Sequence, residues 1–513
     1  MTTNDHLMEV IPIIDRTTGD TKKITSLAYH SSRVKPGTLF VCIGGYQTDG
    51  HLYLAEAAKN GAVAAVVEYF QDNIPIPQYK VKDSRLALAA LADRFYDHPS
   101  SKLTVTGVTA TNGKTTTTYM INTIFEEQGL NTGLIGTVII KTGALVRPAT
   151  LTTPESLDLH FYFSEMVKNK VGYAVMEVSS SGLELNRVGC VDLNTVVVNN
   201  ISREHIDLHG SFEAYYRAKS RLVREATENQ WAVLNLDCPY TAALISETKA
   251  KTLTYGLKNQ QADCLVQNLD LSSGRAEFTV NLTRTVPAEI LSRQPDTFMI
   301  KLSVLGLHSV YNAMAAVLVA LIHGIPASNI QKALKIFKGV ERRFELIFED
   351  DFMVIDDHFA NSGNIDVTLE TLGMMDYKKL HLIYAIRGSR GVTVNRENAE
   401  AIARWAPKLG LNRIIATTSI DHVDKKDAVT KAEISTFQAV MDQAGLKTII
   451  LESLSEAIAL GLAETGLGDV LLLAGCQGMD YGARICLEQI RKLKPELPDE
   501  IVFAALKNRV AGI

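Results

Sequence analysis

At 513 residues the chain is too long for one ordinary core, and a prior of about 150 residues per domain predicts about three. With 46% hydrophobic and 21% charged residues it has the composition of an ordinary soluble globular protein. A formal charge of −5 excludes a general basic face, so nucleic acid is not expected as a main partner.

The six cysteines (Cys42, Cys190, Cys238, Cys264, Cys476, Cys486) are scattered and form no C-x-x-C pair, which argues against a disulfide framework and a structural zinc site. The first residues, Met-Thr-Thr-Asn-Asp-His, lack the basic and then apolar pattern of a signal peptide. The longest apolar run, Ala313 to Ile322, is too short to span a bilayer, so no membrane insertion is expected and the cytoplasm is the expected compartment.

Residues 1–100 form a first block. Thr38 to Ile43 reads as a strand entered from the turn Lys35-Pro-Gly37, Leu54 to Asn60 as a helix and Ala62 to Glu68 as a second strand. Asp97-His-Pro-Ser-Ser101 has turn chemistry and closes the block. A central block, 101–343, opens with Val105-Thr-Gly-Val-Thr-Ala-Thr-Asn-Gly-Lys-Thr-Thr-Thr117. Apolar residues before this run end a buried strand, and Thr115 to Phe125 has helical spacing. Such a strand–loop–helix aims backbone N–H groups and the positive helix end at an anion. Lys114 is placed to reach outer phosphates and Thr115 to ligate Mg²⁺. The loop departs from G-x-x-x-x-G-K-[ST], because Val108 stands five before Gly113 and Gly107 one place earlier.

Gly172 to Val178, Thr195 to Asn199 and Trp231 to Asn235 read as further strands alternating with helices, the pattern of a mostly parallel sheet covered by helices on both faces. The polar stretch Asn259 to Arg293 breaks the rhythm and reads as added antiparallel strands. In a third block, 344–513, the strand candidates Phe352–Ile355, His381–Ile386, Arg413–Thr417, Thr448–Leu451 and Val470–Ala474 divide into βα units, which predicts a Rossmann-like domain.

Glu177, in Met176-Glu-Val-Ser-Ser-Ser181, lies at the carboxyl end of a strand, where open parallel sheets bind ligands and a carboxylate can hold Mg²⁺. Taken singly it better suits a helix N-cap or a solvated loop. Asn199-Asn-Ile-Ser-Arg-Glu-His-Ile-Asp-Leu-His-Gly210 also follows a strand. His205 there can offer imidazole to a metal, with Asp207 and His209 nearby. On periodicity Lys219 is a surface lysine of an amphipathic helix, and Asn312 is a cap or turn residue opening an apolar one.

Taken together, these runs resemble the Mur ligase family, most of all its MurE-type branch that makes UDP-N-acetylmuramoyl-tripeptide. The likeness spans nearly the whole chain in order. It rests on Ser31 to Phe40, Gly45 to His51, the phosphate loop, Thr152-Thr-Pro-Glu-Ser156, Glu177 to Leu183 with Arg187, Asn200 to Asp207, Ala218-Lys219, Tyr311-Asn312 and Gly339 to Glu345. The resemblance implies an ATP-dependent ligase that joins a free amino acid to a UDP-linked muramoyl dipeptide through an acyl phosphate. It implies ATP and Mg²⁺ as cofactors and a monomer or weak dimer. Carried over residue by residue, it gives Lys114, Lys219 and His205 to catalysis. Thr111, Asn112, Gly113, Lys114, Thr115, Thr116, Asn312 and Arg343 go to ATP, and Ser32, Thr152, Thr153, Ser179 and Arg187 to the UDP-linked acid. Thr115, Glu177, His205 and Lys219 go to the metals, with Lys219 carbamylated.

The chain also departs from the family pattern. Ala110 replaces a loop glycine, Ser181 a histidine, and Leu185 a polar substrate contact. The third block reads Asp356-Asp-His-Phe-Ala-Asn-Ser-Gly363 for Asp-Tyr-Ala-His-Thr-Pro, and Arg387-Gly-Ser-Arg-Gly391 for Gly-Asp-Arg-Asp. Thr418 to Asp424 lies where the Asp-Asn-Pro-Arg signature for meso-diaminopimelate is expected, and Ala474 to Tyr481 replaces Ala-Gly-Lys-Gly-His-Glu. Meso-diaminopimelate is therefore not supported as the incoming amino acid. Asp356 and Asp357 are either phosphate- or amine-side groups or a buried structural pair. Two other readings remain: a related ligase of a specialised peptide pathway acting on a non-UDP acid, and a nucleotide hydrolase that no longer ligates.

Overall fold

The computed structural model describes residues 7–19, 22–45, 48–202, 209–507 and 509–512. It is an α/β protein with three families of strands, divided into two compact units, 1–253 and 254–513.

The first unit holds two sheets. In the smaller one, β1 (Asp15–Arg16), β2 (Ser26–Ala28), β3 (Thr38–Val41), β4 (Ala62–Val67) and β5 (Gln78–Lys80) lie in the order β1-β5-β4-β3-β2, parallel except for the edge strand β1. Helix α1 (Leu54–Lys59) and helix α2 (Ser84–Phe95) belong to this layer. α2 starts where Asp83 accepts the N–H groups of Arg85 and Leu86, satisfying two donors that a helix end leaves bare. The apolar side chains of β3 and β4 are buried on both faces, Leu39, Val41 and Val66 in one cluster and Phe40, Ala65 and Val67 in the other.

The second sheet starts with β6 (Thr104–Thr109), followed through the phosphate loop by α3 (Lys114–Glu127). Then come β7 (Thr132–Ile135), β8 (Ile139–Thr142), β9 (Leu145–Pro148), α4 (Ser156–Lys168), β10 (Tyr173–Glu177), α5 (Ser180–Glu184), β11 (Thr195–Val198), α6 (Phe212–Arg224) and β12 (Trp231–Asn235). Within this unit the order is β12-β11-β6-β10-β7-β8-β9, parallel as far as β7 and antiparallel through β8 and β9. β6 is central, so the loop leaving its carboxyl end sits between β10 and β11, the position from which a parallel sheet presents a ligand. Val105, Met176, Val196 and Val198 of the sheet pack with Leu159 and Phe163 of α4 and Tyr215 and Leu222 of α6. Full burial of each such side chain contributes roughly 1.5–3 kcal/mol.

β13 (Lys251–Gly256) carries the division between the units and pairs in parallel with β14 (Cys264–Asp270). β14, β15 (Arg275–Leu282) and β16 (Thr297–Leu305) are antiparallel, as the polar stretch predicted. Helices α7 (Leu307–Ile322) and α8 (Ala327–Ile336) follow. The last sheet consists of β17 (Glu345–Glu349), β18 (Met353–Asp357), β19 (Leu380–Ala385), β20 (Arg413–Thr417), β21 (Lys447–Leu451) and β22 (Val470–Gly475), ordered β17-β18-β22-β19-β20-β21. All five strands after β17 are parallel. Helices α9 (Ser362–Leu372), α10 (Val392–Trp405) and α11 (Lys431–Gln443) share one core cluster with the sheet, and α12 (Leu454–Glu464) and α13 (Gly482–Leu493) the other. The strands expected in the third block are present, with β17 as an added antiparallel edge.

Candidate active site

The phosphate loop turns on Gly113, whose φ of 90° is left-handed and so suits glycine, and α3 begins at the next residue. Asn200, just beyond β11, steadies the turn. Its side chain accepts the Asn112 N–H at 2.9 Å and donates to the Asn112 carbonyl at 2.9 Å. The Thr111 N–H donates to the Asn200 carbonyl at 2.9 Å, and the Thr111 hydroxyl meets Tyr215 Oη at 3.0 Å and accepts the Ser202 N–H at 2.9 Å. Thr116 is buried on the first turn of α3.

Glu177, the last residue of β10, is fully buried. Its Oε2 accepts the hydroxyls of Thr115 at 3.0 Å and Thr137 at 3.1 Å, and its Oε1 accepts the Thr137 N–H at 2.8 Å. The readings of Glu177 as an N-cap acid or a solvated loop residue are thereby corrected, since strand β10 carries it directly onto the α3 start. Gly136 makes room for it, because a Cβ there would stand 2.5 Å from Glu177 Oε1.

Lys219, expected on periodicity at the surface, is 1% exposed. α6 has its N-terminus fixed by the Ser211 hydroxyl, which accepts the Ala214 N–H, and it lays Lys219 inward beside Tyr215. Lys219 Nζ donates to the Ala110 carbonyl at 2.7 Å and to Thr109 Oγ1 at 3.3 Å. Lys114 Nζ donates to the same Ala110 carbonyl at 2.9 Å and to that of Thr111 at 3.1 Å. Thus Lys114, Thr115, Glu177 and Lys219 surround one end of the loop. His205 and Asp207 lie outside the described residues. His209 commits both ring nitrogens to the start and end of α5, meeting Ser180 Oγ at 3.0 Å and Glu184 Oε2 at 3.1 Å. Among the described residues no group of three or more His, Cys, Asp or Glu stands together as a metal site.

A second cluster adjoins the first. Thr153, fully buried, donates from Oγ1 to the Glu177 carbonyl at 2.9 Å and accepts the Ser179 N–H at 3.0 Å. Ser179 caps α5 through Gly182. Arg187 donates to the Thr153 carbonyl at 3.1 Å and pairs with Glu155 at 2.9 Å. Thr152 Oγ1 lies 3.0 Å from Thr137 Oγ1, one step from Glu177. Ser32 is exposed in the short 3-10 turn Ser31–Arg33 between β2 and β3, hydrogen-bonds His30 Nδ1 at 2.8 Å and joins none of these.

Asn312 and Arg343 belong to the second unit. Asn312 is buried within α7 rather than capping it, because Gly306 and Leu307 start the helix earlier. Arg343 is half-buried and donates to the Arg342 carbonyl at 3.1 Å. Asp356 and Asp357 close β18 as a buried pair. Asp356 is held by Arg509 and lies 3.6 Å from Arg342 Nε, while Asp357 accepts the Phe344 N–H at 2.9 Å and the Thr368 hydroxyl. Burial raises the Asp357 carboxyl and lowers the His358 imidazole, which Arg343, Arg342 and Arg387 lower further. Arg342 pairs with Asp480 and donates to the Gly475 carbonyl. Arg387 donates to the Ala360 carbonyl. The N–H groups of Ser389, Arg390 and Gly391 converge on the buried carboxylate of Glu433.

Sequence reasoning did not single out Thr137, Gly136, Tyr215 or Glu155. Glu155 stood inside the run Thr152 to Ser156, and Tyr215 one helical turn before Lys219. Thr137 and Gly136 carried no local signal, because their value lies in meeting Glu177 across strands.

A phosphate loop at the centre of a parallel sheet, with a buried hydroxyl, carboxylate and two lysines at its end, defines a nucleotide-dependent enzyme. Residues 23–96 match the family model described as Mur ligase family, catalytic domain; 108–320 match the Mur ligase middle domain, and 342–477 the Mur ligase, glutamate ligase domain. The UDP-N-acetylmuramoyl-L-alanyl-D-glutamate–2,6-diaminopimelate ligase of Caldanaerobacter subterraneus subsp. tengcongensis is 36% identical over 88% of this chain and 89% of its own. Among solved structures, MurF from Acinetobacter baumannii has a TM-score of 0.66 at 20% identity, covering 96% of this chain and 99% of that one. MurF from Thermotoga maritima in complex with ADP has a TM-score of 0.62 at 19% identity, covering 93% and 99%. The two structures share the fold. The chain belongs to the Mur ligase family. It is an ATP-dependent ligase that joins an acid to an amino acid.

Proposed function

We propose that the chain adds an amino acid to a UDP-N-acetylmuramoyl dipeptide in the cytoplasm, as a step of peptidoglycan precursor synthesis. The observation that carries this reading is the convergence of Lys114, Thr115, Glu177 and Lys219 on the loop end, directly bonded to the Thr153–Arg187 cluster. The 36% identical relative, named for ligation to UDP-N-acetylmuramoyl-L-alanyl-D-glutamate, supports the donor. The domain borders follow the blocks 1–100, 101–343 and 344–513, and the protein acts as a monomer or weak dimer.

The donor set suits Mg²⁺. A hydroxyl and a buried carboxylate are hard oxygen ligands, and a lysine buried beside them becomes an oxygen donor once carbamylated. Thr115, Glu177, His205 and a carbamylated Lys219 would hold it. When bound, Mg²⁺ neutralises charge on phosphate oxygens. The loop N–H groups and Lys114 cradle the triphosphate, while Thr111, Asn112, Gly113 and Thr116 shape the turn. Asn312 and Arg343 contact the nucleotide. Ser32, Thr152, Thr153, Ser179 and Arg187 orient the donor so that its carboxylate attacks the γ-phosphate, the bond to the β-phosphate breaks, and ADP leaves to give an acyl phosphate. The amine of the incoming amino acid then displaces phosphate from the acyl phosphate. Preorganised donors stabilise the charge on the transferring oxygens without reorganising at the moment of reaction.

The sequence does not support meso-diaminopimelate as the incoming amino acid, although the 36% identical relative is named for it. The signature region reads Thr418 to Asp424, and Asp480 already pairs with Arg342. The test is phosphate release from ATP with UDP-N-acetylmuramoyl-L-alanyl-D-glutamate and each common amino acid, meso-diaminopimelate included. Release that needs both acids supports the reading. Release indifferent to them indicates a hydrolase, and product only from a non-UDP acid indicates the specialised ligase.

A further inference from the structure

The Arg187 guanidinium, read above as a donor contact, is not held by the central sheet alone. Glu155 lies between two arginines: Arg187 at 2.9 Å on one oxygen and Arg85, at the start of α2 in the neighbouring sheet layer, at 3.1 Å on the other. All three side chains are mostly buried, at 14–17% exposure, so their charges are less screened than those of surface pairs. Arg85 also donates to the Gly44 carbonyl at 3.3 Å and lines, with Lys82, a cavity of about 610 Å³. The same wall carries two acids, both engaged by the start of α2. Glu68 Oε1 accepts the Ser84 N–H and hydroxyl, and Asp83 caps α2. Arg187 Nε is buried with no hydrogen-bond partner among the described residues, a donor built in but unused by the protein.

We propose that Arg85 is a positioning residue for the anionic donor. By sharing Glu155 it fixes the Arg187 guanidinium and leaves the trio one positive charge in excess. Without Arg85, Glu155 neutralises Arg187 and holds it in a simple pair. The inference rests on the donor reading of Arg187.

The test compares wild type, Arg85→Met, Arg85→Lys and Arg85→Met/Glu155→Gln in steady-state kinetics, with UDP-N-acetylmuramoyl-L-alanyl-D-glutamate and the amino acid that supports turnover. Melting temperatures are read alongside. Arg85→Met is expected to raise the donor KM about tenfold, with kcat within about threefold and the KM for ATP unchanged. Its donor KM also rises less steeply with salt, because one charge has been removed. Arg85→Lys retains most of the wild-type KM. Glu155→Gln in the Arg85→Met background restores the net charge and brings the donor KM part of the way back, which a merely structural role would not do. A donor KM within about twofold of wild type in Arg85→Met, equal rises in both KM values, or no recovery in the double variant overturns the proposal. Wild type that turns over other acids but not this donor overturns the donor reading itself, and this role with it.

Discussion

Lys114 and Lys219 donate to one and the same oxygen, the carbonyl of Ala110, at 2.9 and 2.7 Å. One lysine comes from the loop and the other from α6, so the sheet has to bring together two segments far apart in the chain. Lys219→Ala is expected to remove most of the rate, with partial recovery by added short carboxylates that replace the carbamate oxygens. Full activity of Lys219→Ala in the ligase assay would end the carbamate assignment.

Thr115 and Glu177 form the second such meeting, at 3.0 Å. Glu177→Gln keeps the shape and removes the charge. It should lower kcat by about a hundredfold or more and raise the Mg²⁺ concentration needed for half-maximal rate. A Mg²⁺ titration of both enzymes checks this, and an unchanged profile contradicts the role.

Gly136 lies against the same carboxylate. Gly136→Ala places a methyl carbon 2.5 Å from Glu177 Oε1, so the carboxylate has to shift and give up the bond that Oε1 accepts from the Thr137 N–H. The expected cost is about 1–3 kcal/mol in denaturant unfolding, with activity falling more than stability. A variant as active as wild type would show that Glu177 needs no fixed position.

In the second unit, Arg509 bridges Glu345 at 2.7 Å and the fully buried Asp356. Arg509→Ala removes both pairings, leaving the fully buried Asp356 with Arg342 Nε at 3.6 Å and Glu345 with the Arg342 N–H at 2.9 Å. Destabilisation of about 3–5 kcal/mol is expected. Arg509→Met/Asp356→Asn should recover much of it, because the isolated charge is gone. Equal stability of the single and double variants would contradict this account.

Burial, with Asp356 adding and Arg509 opposing, pushes the Glu345 carboxyl up from 4.5 to about 7. Between those values the folded chain binds more protons than the unfolded one. This group's contribution is therefore complete below 4.5 and lost as pH rises through about 7. Half-buried His308, lowered by desolvation from 6.5 to about 4, acts in the opposite sense, costing stability as pH falls from 6.5 towards 4. The Glu345→Gln variant isolates the first effect. Its melting temperature relative to wild type should climb as pH rises from 5 to 8 (about the window of the Glu345 shift). A constant difference would sink the assignment.

Much of this molecule is legible in local order. Gly113, Lys114 and Thr115 announce the loop because a phosphate site is built from consecutive backbone groups, and β12 and β20 are bounded as their apolar patterns predict. Periodicity failed at Lys219 and Asn312. It averages over a helix face and does not register one polar side chain turned inward, as Lys219 is toward the phosphate loop and Asn312 is within its helix. Thr137 and Gly136 gave no signal for the same reason.

By itself, the sequence determined the phosphate loop, the alternation of strands and helices and the family, since each is written in neighbouring residues or their order. Only the tertiary structure decided that Ala110 receives two lysines, that Glu177 is enclosed by Thr115 and Thr137, and that Glu155 is shared by Arg85 and Arg187. Those contacts depend on strand register and helix placement, where a shift of one residue sends a side chain to the opposite face.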